Sequence, residues 1–266
     1  MSPPSLPGSR PAAPAALRYV GIVVIALVVA GLAYGVYDGI RSKRAERAEI
    51  HDAIAQVKDA ALGTHDAGAG SAAAPTTPLA QAMLKLKGLV VALNARMAVH
   101  EAAMDKLHVE DILSAPVLAD QARAREAKGR MAKFVEINQA IEADYDDYMQ
   151  NAQDVLSAAF SDQDAMRRGF EAKAGPMSAT LKNSLALNIE LAGVVTDVLT
   201  LADTHHDKIQ MQNGQLVIAG KTWDQYHASM QKIDALMPKL QVAEANLKKL
   251  QGDLTQQLND AEAATR

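Results

Sequence analysis

The chain has 266 residues, a formal net charge of -4 and no cysteine, and 49 % of its residues are hydrophobic although only 4 % are aromatic. The missing cysteines exclude disulfides, thiolate metal sites, thiol catalysis and a lipoprotein anchor, and the absence of a strongly basic domain argues against nucleic acid as a partner. Three Phe and one Trp are few for a β-sandwich or an α/β enzyme core, so the composition predicts an all-α protein.

The N-terminal part combines a polar tail with one long apolar run. Residues 1–18 are rich in Pro and small side chains, a composition that predicts a disordered tail. Residues 19–37 carry no charge, and at 1.5 Å per helical residue they cover roughly 28 Å, close to the hydrocarbon thickness of a bilayer. The run is too long for the apolar region of a signal peptide, which has about 7 to 15 residues. We therefore predict a single transmembrane helix at 19–37.

Three glycines recur every four residues at the end of the apolar run, at Gly31, Gly35 and Gly39. This spacing of small residues permits close packing of two membrane helices. Together with a coiled-coil pattern near the C-terminus, it predicts either a homo-oligomer or an assembly with other envelope proteins.

Two segments connect the apolar run to the rest of the chain. Residues 38–62 have a helix-forming composition and predict a juxtamembrane helix. Residues 63–78 are rich in Gly, Ala, Pro and Thr, which is typical of a flexible linker. A helical bundle domain is therefore expected over residues 79–266.

Apolar residues in the bundle domain recur at steps of three and four, the spacing of a coiled coil or of a narrow bundle helix. The second such stretch includes Ile137 and Val155 in its apolar row. Gly175 and Pro176 are expected to kink or divide the next helix. We predict an antiparallel bundle of long helices with coiled-coil character and one small β-hairpin.

The hairpin is expected at residues 208–220, where the helical pattern stops. Asn213 and Gly214 form the strongest short hairpin signal in the chain. Trp223 and Tyr226 follow directly and are well placed to cover the two strands. These four residues therefore predict a small cap on the bundle.

Motifs of the common enzyme classes are missing from the sequence, which has no P-loop, no Gly-rich dinucleotide turn, no HExxH and no nucleophile elbow. The cluster of Asp144, Asp146 and Asp147 lacks ligands at a spacing that completes a cation shell, and His205 and His206 point about 100° apart on a helix. The sequence predicts no catalytic residue, no cofactor and no metal site, and hence a protein that is not an enzyme.

The anchor and the bundle together favour a membrane-anchored scaffold or tether of the bacterial cell envelope. One alternative is a sensory or signal-transducing periplasmic module, although an 18-residue tail is too short for a cytoplasmic output domain. Another is an adaptor of a secretion or lysis system.

The orientation in the membrane follows from two opposing signals. Arg41, Lys43, Arg44 and Arg47 lie just after the apolar run and by the positive-inside rule favour a cytoplasmic bundle. Long C-terminal domains are translocated largely regardless of charge, however, and the linker and the cysteine-free chain suit the periplasm. We expect a single-pass protein of the bacterial inner membrane with the bulk of the chain in the periplasm.

Overall fold

The computed structural model describes residues 55–56, 77–159 and 163–265. These residues are mostly helical, with one two-stranded sheet. In chain order the elements are α1 (Pro78–Asp105), α2 (Ala115–Leu118), α3 (Gln121–Ala159), α4 (Gln163–Thr204), β1 (Ile209–Gln212), β2 (Gln215–Ile218) and α5 (Lys221–Thr265). The predicted fold class, helical with one small hairpin, is confirmed for this part of the chain.

Several predictions concern residues outside the described ranges. They are the tail at 1–18, the transmembrane helix at 19–37 with Gly31, Gly35 and Gly39, and nearly all of 38–62 and of the linker at 63–78. Within the juxtamembrane segment only Ala55 and Gln56 are described, and both are helical.

The described chain divides into two compact units. The first, here called the hairpin unit, comprises residues 100–140 and 183–243. The second, called the tyrosine unit, comprises residues 55–56, 77–99, 141–159, 163–182 and 244–265. The four long helices α1, α3, α4 and α5 contribute residues to both units.

Helix α1 begins with a capped first turn and buries one of its sides. The Thr77 hydroxyl caps it by accepting a hydrogen bond from the Ala80 amide at 3.2 Å, and Pro78 takes the first helical position, where no amide is needed. Residues at steps of three and four form its buried side in the tyrosine unit: Met83, Leu86, Val90, Leu93 and Met97.

The core of α3 differs from the predicted apolar row at two places. Ile137 and Val155 are only half-buried, whereas Asn138 is 0 % and Leu156 is 2 % exposed. The predicted apolar row did not include Asn138 because its side chain is polar. Its amide Nδ2 donates to the Phe134 carbonyl at 2.8 Å within the same helix, so the nitrogen of this buried side chain has a hydrogen-bond partner inside the core.

A kink or a division of the helix was expected at Gly175 and Pro176, and the division is wrong because α4 continues through both residues. Proline removes one amide donor and leaves the Ala172 carbonyl, four residues earlier, without its helical partner. Ala172, Gly175 and Pro176 are all exposed, which lets water satisfy that carbonyl. Ala174 and Met177 pack into the core on the other side and hold the helix together.

One described segment, Ala174–Thr204 within α4, is long and apolar enough to cross a membrane, with a mean hydropathy of 1.6. Half of its most apolar stretch is buried inside the protein. In the hairpin unit Leu199 and Ala202 are fully buried. Core helices of helical proteins share this length and composition.

The hairpin forms at the predicted position. Strand β1 pairs antiparallel with β2, from Ile209 opposite Ile218 to Gln212 opposite Gln215. The two turn residues have positive φ angles, 49° at Asn213 and 76° at Gly214. Positive φ at both central positions is the type I′ geometry that suits the twist of a two-residue hairpin.

Candidate interaction surface

One face of the hairpin belongs to the core of the hairpin unit. Ile209, Leu216 and Ile218 are buried there together with Tyr226. The opposite face carries the exposed Gln210, Gln212 and Gln215, whereas Met211, on the same face as Ile209, is 41 % exposed near the turn. Because a two-stranded hairpin is marginal in water by itself, this packing is what holds the strands in place.

Trp223 lies half-buried at the edge of the same core. Its ring centroid is 6.0 Å from that of Tyr226 and 5.8 Å from that of His227, whose ring is stacked on it at 20°. Two of the four predicted cap residues are thus brought together beside the strands, while Asn213 and Gly214 are exposed at the turn. A functional role of this cap stays a prediction.

The end of α4 is fastened to the start of α3 through Asp203. Its carboxylate pairs with Arg125 Nη2 at 2.9 Å and with Lys128 Nζ at 3.4 Å, and its carbonyl accepts from Gln121 Nε2 at 2.8 Å. The hydrogen bond from Arg125 holds the pKa of Asp203 below its usual value. These contacts join the end of α4 to the start of α3. Because the carboxylate is paired with two cations, it is a weaker base than a free aspartate.

The acidic cluster of α3 is likewise paired in part with neighbouring helices. Asp144 contacts Arg96 and Asp146 contacts Lys182, each at 2.7 Å. Exposed ion pairs of this kind contribute up to about 1 kcal/mol each. Among the described residues no three His, Asp or Glu side chains come together as a metal site, and this includes His205 and His206.

Two tyrosines of α3, Tyr145 and Tyr148, lie in the core of the tyrosine unit. Tyr145 is 0 % and Tyr148 is 4 % exposed, with ring centroids 6.5 Å apart. Burial raises the pKa of both phenols, and for Tyr145 the neighbouring Ser178 hydroxyl offsets part of the rise. The Tyr148 hydroxyl has no hydrogen-bond partner among the described residues. Both phenols therefore stay protonated at neutral pH, and neither serves as a base.

The exposed side of α1 carries a second row of apolar and small residues. Leu84, Val91 and Val99 are 47 %, 38 % and 67 % exposed, and Gly88 and Ala95 between them are exposed as well. We call these five residues the outer stripe; all belong to the tyrosine unit. Their steps of four, three, four and four keep them on one side of the helix, roughly opposite its buried row.

A row of apolar side chains along the exposed side of a helix is a candidate interaction site. Between residues 78 and 100 the only charged side chains are basic: Lys85, Lys87 and Arg96. Lys87 Nζ also donates a hydrogen bond to Gln56 Oε1 at 3.1 Å, which joins α1 to the segment that precedes the linker. The outer stripe is therefore an apolar row flanked on α1 by Lys85, Lys87 and Arg96, the last of which is paired with Asp144, and it is the best candidate for a functional site in the described residues.

This surface was not predicted from the sequence. A row made largely of Gly, Ala and Val is a weak apolar signal beside the row of Met, Leu and Val that is buried on the same helix. The signal was present in the same spacing rule, since residues 84, 88, 91, 95 and 99 are all uncharged and small or apolar.

Comparisons with protein-family models, with curated proteins and with solved structures give no match. Function is therefore argued from the residues and their geometry.

Proposed function

We propose that the chain is a non-catalytic helical scaffold or tether of the bacterial cell envelope. In this proposal residues 19–37 anchor it in the inner membrane, the bundle lies in the periplasm, and the outer stripe of α1 is its docking face for another helix.

The observation that carries the proposal is the outer stripe. Full burial of a side chain such as Leu or Val gains about 1.5 to 3 kcal/mol relative to exposure. Leu84, Val91 and Val99 are still partly exposed, so part of this stabilising free energy is not gained within the described chain. A second helix packed along these three residues would bury them and gain this free energy. Gly88 and Ala95 between them have small side chains or none, which lets the two backbones come close.

The membrane anchor adds to the same function. A protein held in a bilayer meets its partners in a plane, so a docking face of moderate strength suffices for assembly. The spacing of Gly31, Gly35 and Gly39 supports pairing of the membrane helices themselves. A secretion or lysis adaptor would use the same docking face with a different partner, whereas a sensor would need a ligand site between its helices.

Membrane extraction tests the anchor. We expect the full chain to stay in the membrane pellet after washing with alkaline carbonate and to be released by detergent. A matched variant that lacks residues 19–37 should appear in the soluble fraction, because half of its most apolar described stretch is buried inside the protein. Release of the full chain by carbonate would contradict the proposal.

A further inference from the structure

We infer that the core of the hairpin unit binds one water molecule between the side-chain amides of Asn138 on α3 and Asn188 on α4. Both residues belong to the hairpin unit, and the site does not depend on the proposed docking function.

Two ion pairs set the register of α3 against α4. Arg125 contacts Asp203 at 2.9 Å, and Asp146 contacts Lys182 at 2.7 Å. The two contacts are 21 residues apart on each helix, in opposite directions along the chain. The helices are therefore antiparallel, and a step forward on α3 is matched by an equal step back on α4.

The buried residues of the two helices follow this register in pairs. Four successive pairs lie in the core of the hairpin unit: Ala124 with Ala202, Ala127 with Leu199, Met131 with Val195, and Phe134 with Ala192. Both rows advance by steps of three, four and three, which is the spacing of a coiled-coil seam.

The next pair in the series consists of two asparagines. Asn138 lies four residues after Phe134, and Asn188 lies four residues before Ala192. Asn138 is 0 % and Asn188 is 3 % exposed. Two amides thus face each other across the interface, away from bulk solvent.

The polar atoms that these amides leave over are complementary. Because Asn138 Nδ2 donates to the Phe134 carbonyl, its Oδ1 is the atom left for a contact across the interface. Asn138 Oδ1 and Asn188 Nδ2 are both buried and have no hydrogen-bond partner among the described residues. The first is an acceptor and the second is a donor. A water molecule between them accepts from Asn188 Nδ2 and donates to Asn138 Oδ1, which satisfies both atoms.

A third polar side chain falls at the same level of the hairpin unit. Met104 of α1 and Phe134 lie in one core, and the Leu107 carbonyl accepts from Arg130 Nη1 at 3.1 Å. The start of α3 therefore runs antiparallel to the end of α1. One turn back from Met104, the half-buried His100 is level with the residue one turn after Phe134, which is Asn138. Polar groups from three helices agree with the two to four partners that a buried water needs.

A double-mutant cycle in the full chain tests whether the two amides share a partner. The variants are Asn138→Val, Asn188→Val and the double variant. Each single variant leaves the other amide buried beside an apolar side chain, so the thermal midpoint should fall by about 3 to 8 °C. The double variant replaces both amides and the water by apolar groups, and its midpoint should return to within about 2 °C of the native value.

The matched control is Asn183→Val, at an exposed position of the same helix. It introduces the same side chain without burying or freeing a polar group. Its midpoint should differ from that of the native chain by less than about 2 °C.

Nuclear magnetic resonance detects the water in the native chain, labelled with ¹⁵N at asparagine and dissolved in deuterated detergent. A long-lived water gives Overhauser effects of opposite sign in the laboratory and rotating frames at the Asn188 side-chain amide. That signal is assigned by its disappearance in Asn188→Val. We expect it in the native chain, with only weak effects at the exposed Asn183 amide.

Two results would overturn the inference. A loss in the double variant equal to the sum of the single losses would show that the two amides act independently. A native chain without the long-lived water signal at Asn188 would contradict the bound water and assign any coupling to a direct contact of the amides. This second measurement needs no variant beyond the one used for assignment, so it decides the question even where the double variant fails to fold.

Discussion

Replacing Leu199 by alanine is expected to lower the free energy of unfolding by about 2 to 5 kcal/mol. The side chain is 0 % exposed and belongs to the core of the hairpin unit, beside buried Val198 and Ala202. Its removal leaves a cavity that the surrounding helices fill only partly. Denaturant unfolding of the full chain in detergent, followed by circular dichroism, measures the loss.

The matched control is Leu201→Ala, two residues further along the same helix. Leu201 is half-buried and packs at the margin of this core, so its truncation should cost clearly less. Leu199 lies within the apolar segment Ala174–Thr204, and the comparison therefore tests whether that segment is a bundle core. Equal losses in the two variants would contradict the packing described for α4.

Alkaline pH is expected to destabilise the fold through Tyr145 and Tyr148. Burial raises the pKa of both phenols in the folded state, whereas in the unfolded chain they titrate near 10. Above about pH 10 the unfolded chain releases two protons that the folded chain retains, so stability falls as the pH rises. Two such groups together cost about 2 to 3 kcal/mol between pH 9 and pH 11, and below pH 9 they contribute no pH dependence.

The double variant Tyr145→Phe/Tyr148→Phe provides the control, because phenylalanine keeps the ring and does not titrate. Its loss of stability between pH 9 and pH 11 should be smaller than that of the native chain by about 2 to 3 kcal/mol. At neutral pH Tyr148→Phe alone should not destabilise the protein, since its hydroxyl lacks a hydrogen-bond partner among the described residues. Unfolding curves at pH 7, 9 and 11 measure both effects, and an unchanged alkaline loss in the double variant would assign the loss to other groups.

The parts of the fold that depend on local sequence were predictable. The turn at Asn213 and Gly214 needs two positive φ angles, and that pair of residues adopts them at the lowest cost. The start of α1 follows from Thr77 and Pro78, whose side chains cap and preset the first turn. Such signals act within a few residues and require no knowledge of the tertiary structure.

The features that depend on packing were not predictable in the same way. Two neighbouring rows of α3 could each face the core. The packing of the surrounding helices buries Asn138 and Leu156. It leaves Ile137 and Val155 half-buried. The continuity of α4 through Pro176 depends in the same way on which side of the helix faces solvent. The exposure of the outer stripe likewise depends on tertiary packing, which buries the other side of α1.

The most direct test of the membrane-anchored scaffold is the topology of the full chain. A single cysteine is placed at Ser5 or, in a separate variant, at Ala179, an exposed position on α4. Cells with a permeabilised outer membrane are then treated with a maleimide that does not cross the inner membrane, and lysed cells show that both sites react. We expect labelling at position 179 in the unlysed cells and at position 5 only after lysis. Labelling at position 5 without labelling at position 179 would place the bundle in the cytoplasm and contradict a periplasmic scaffold.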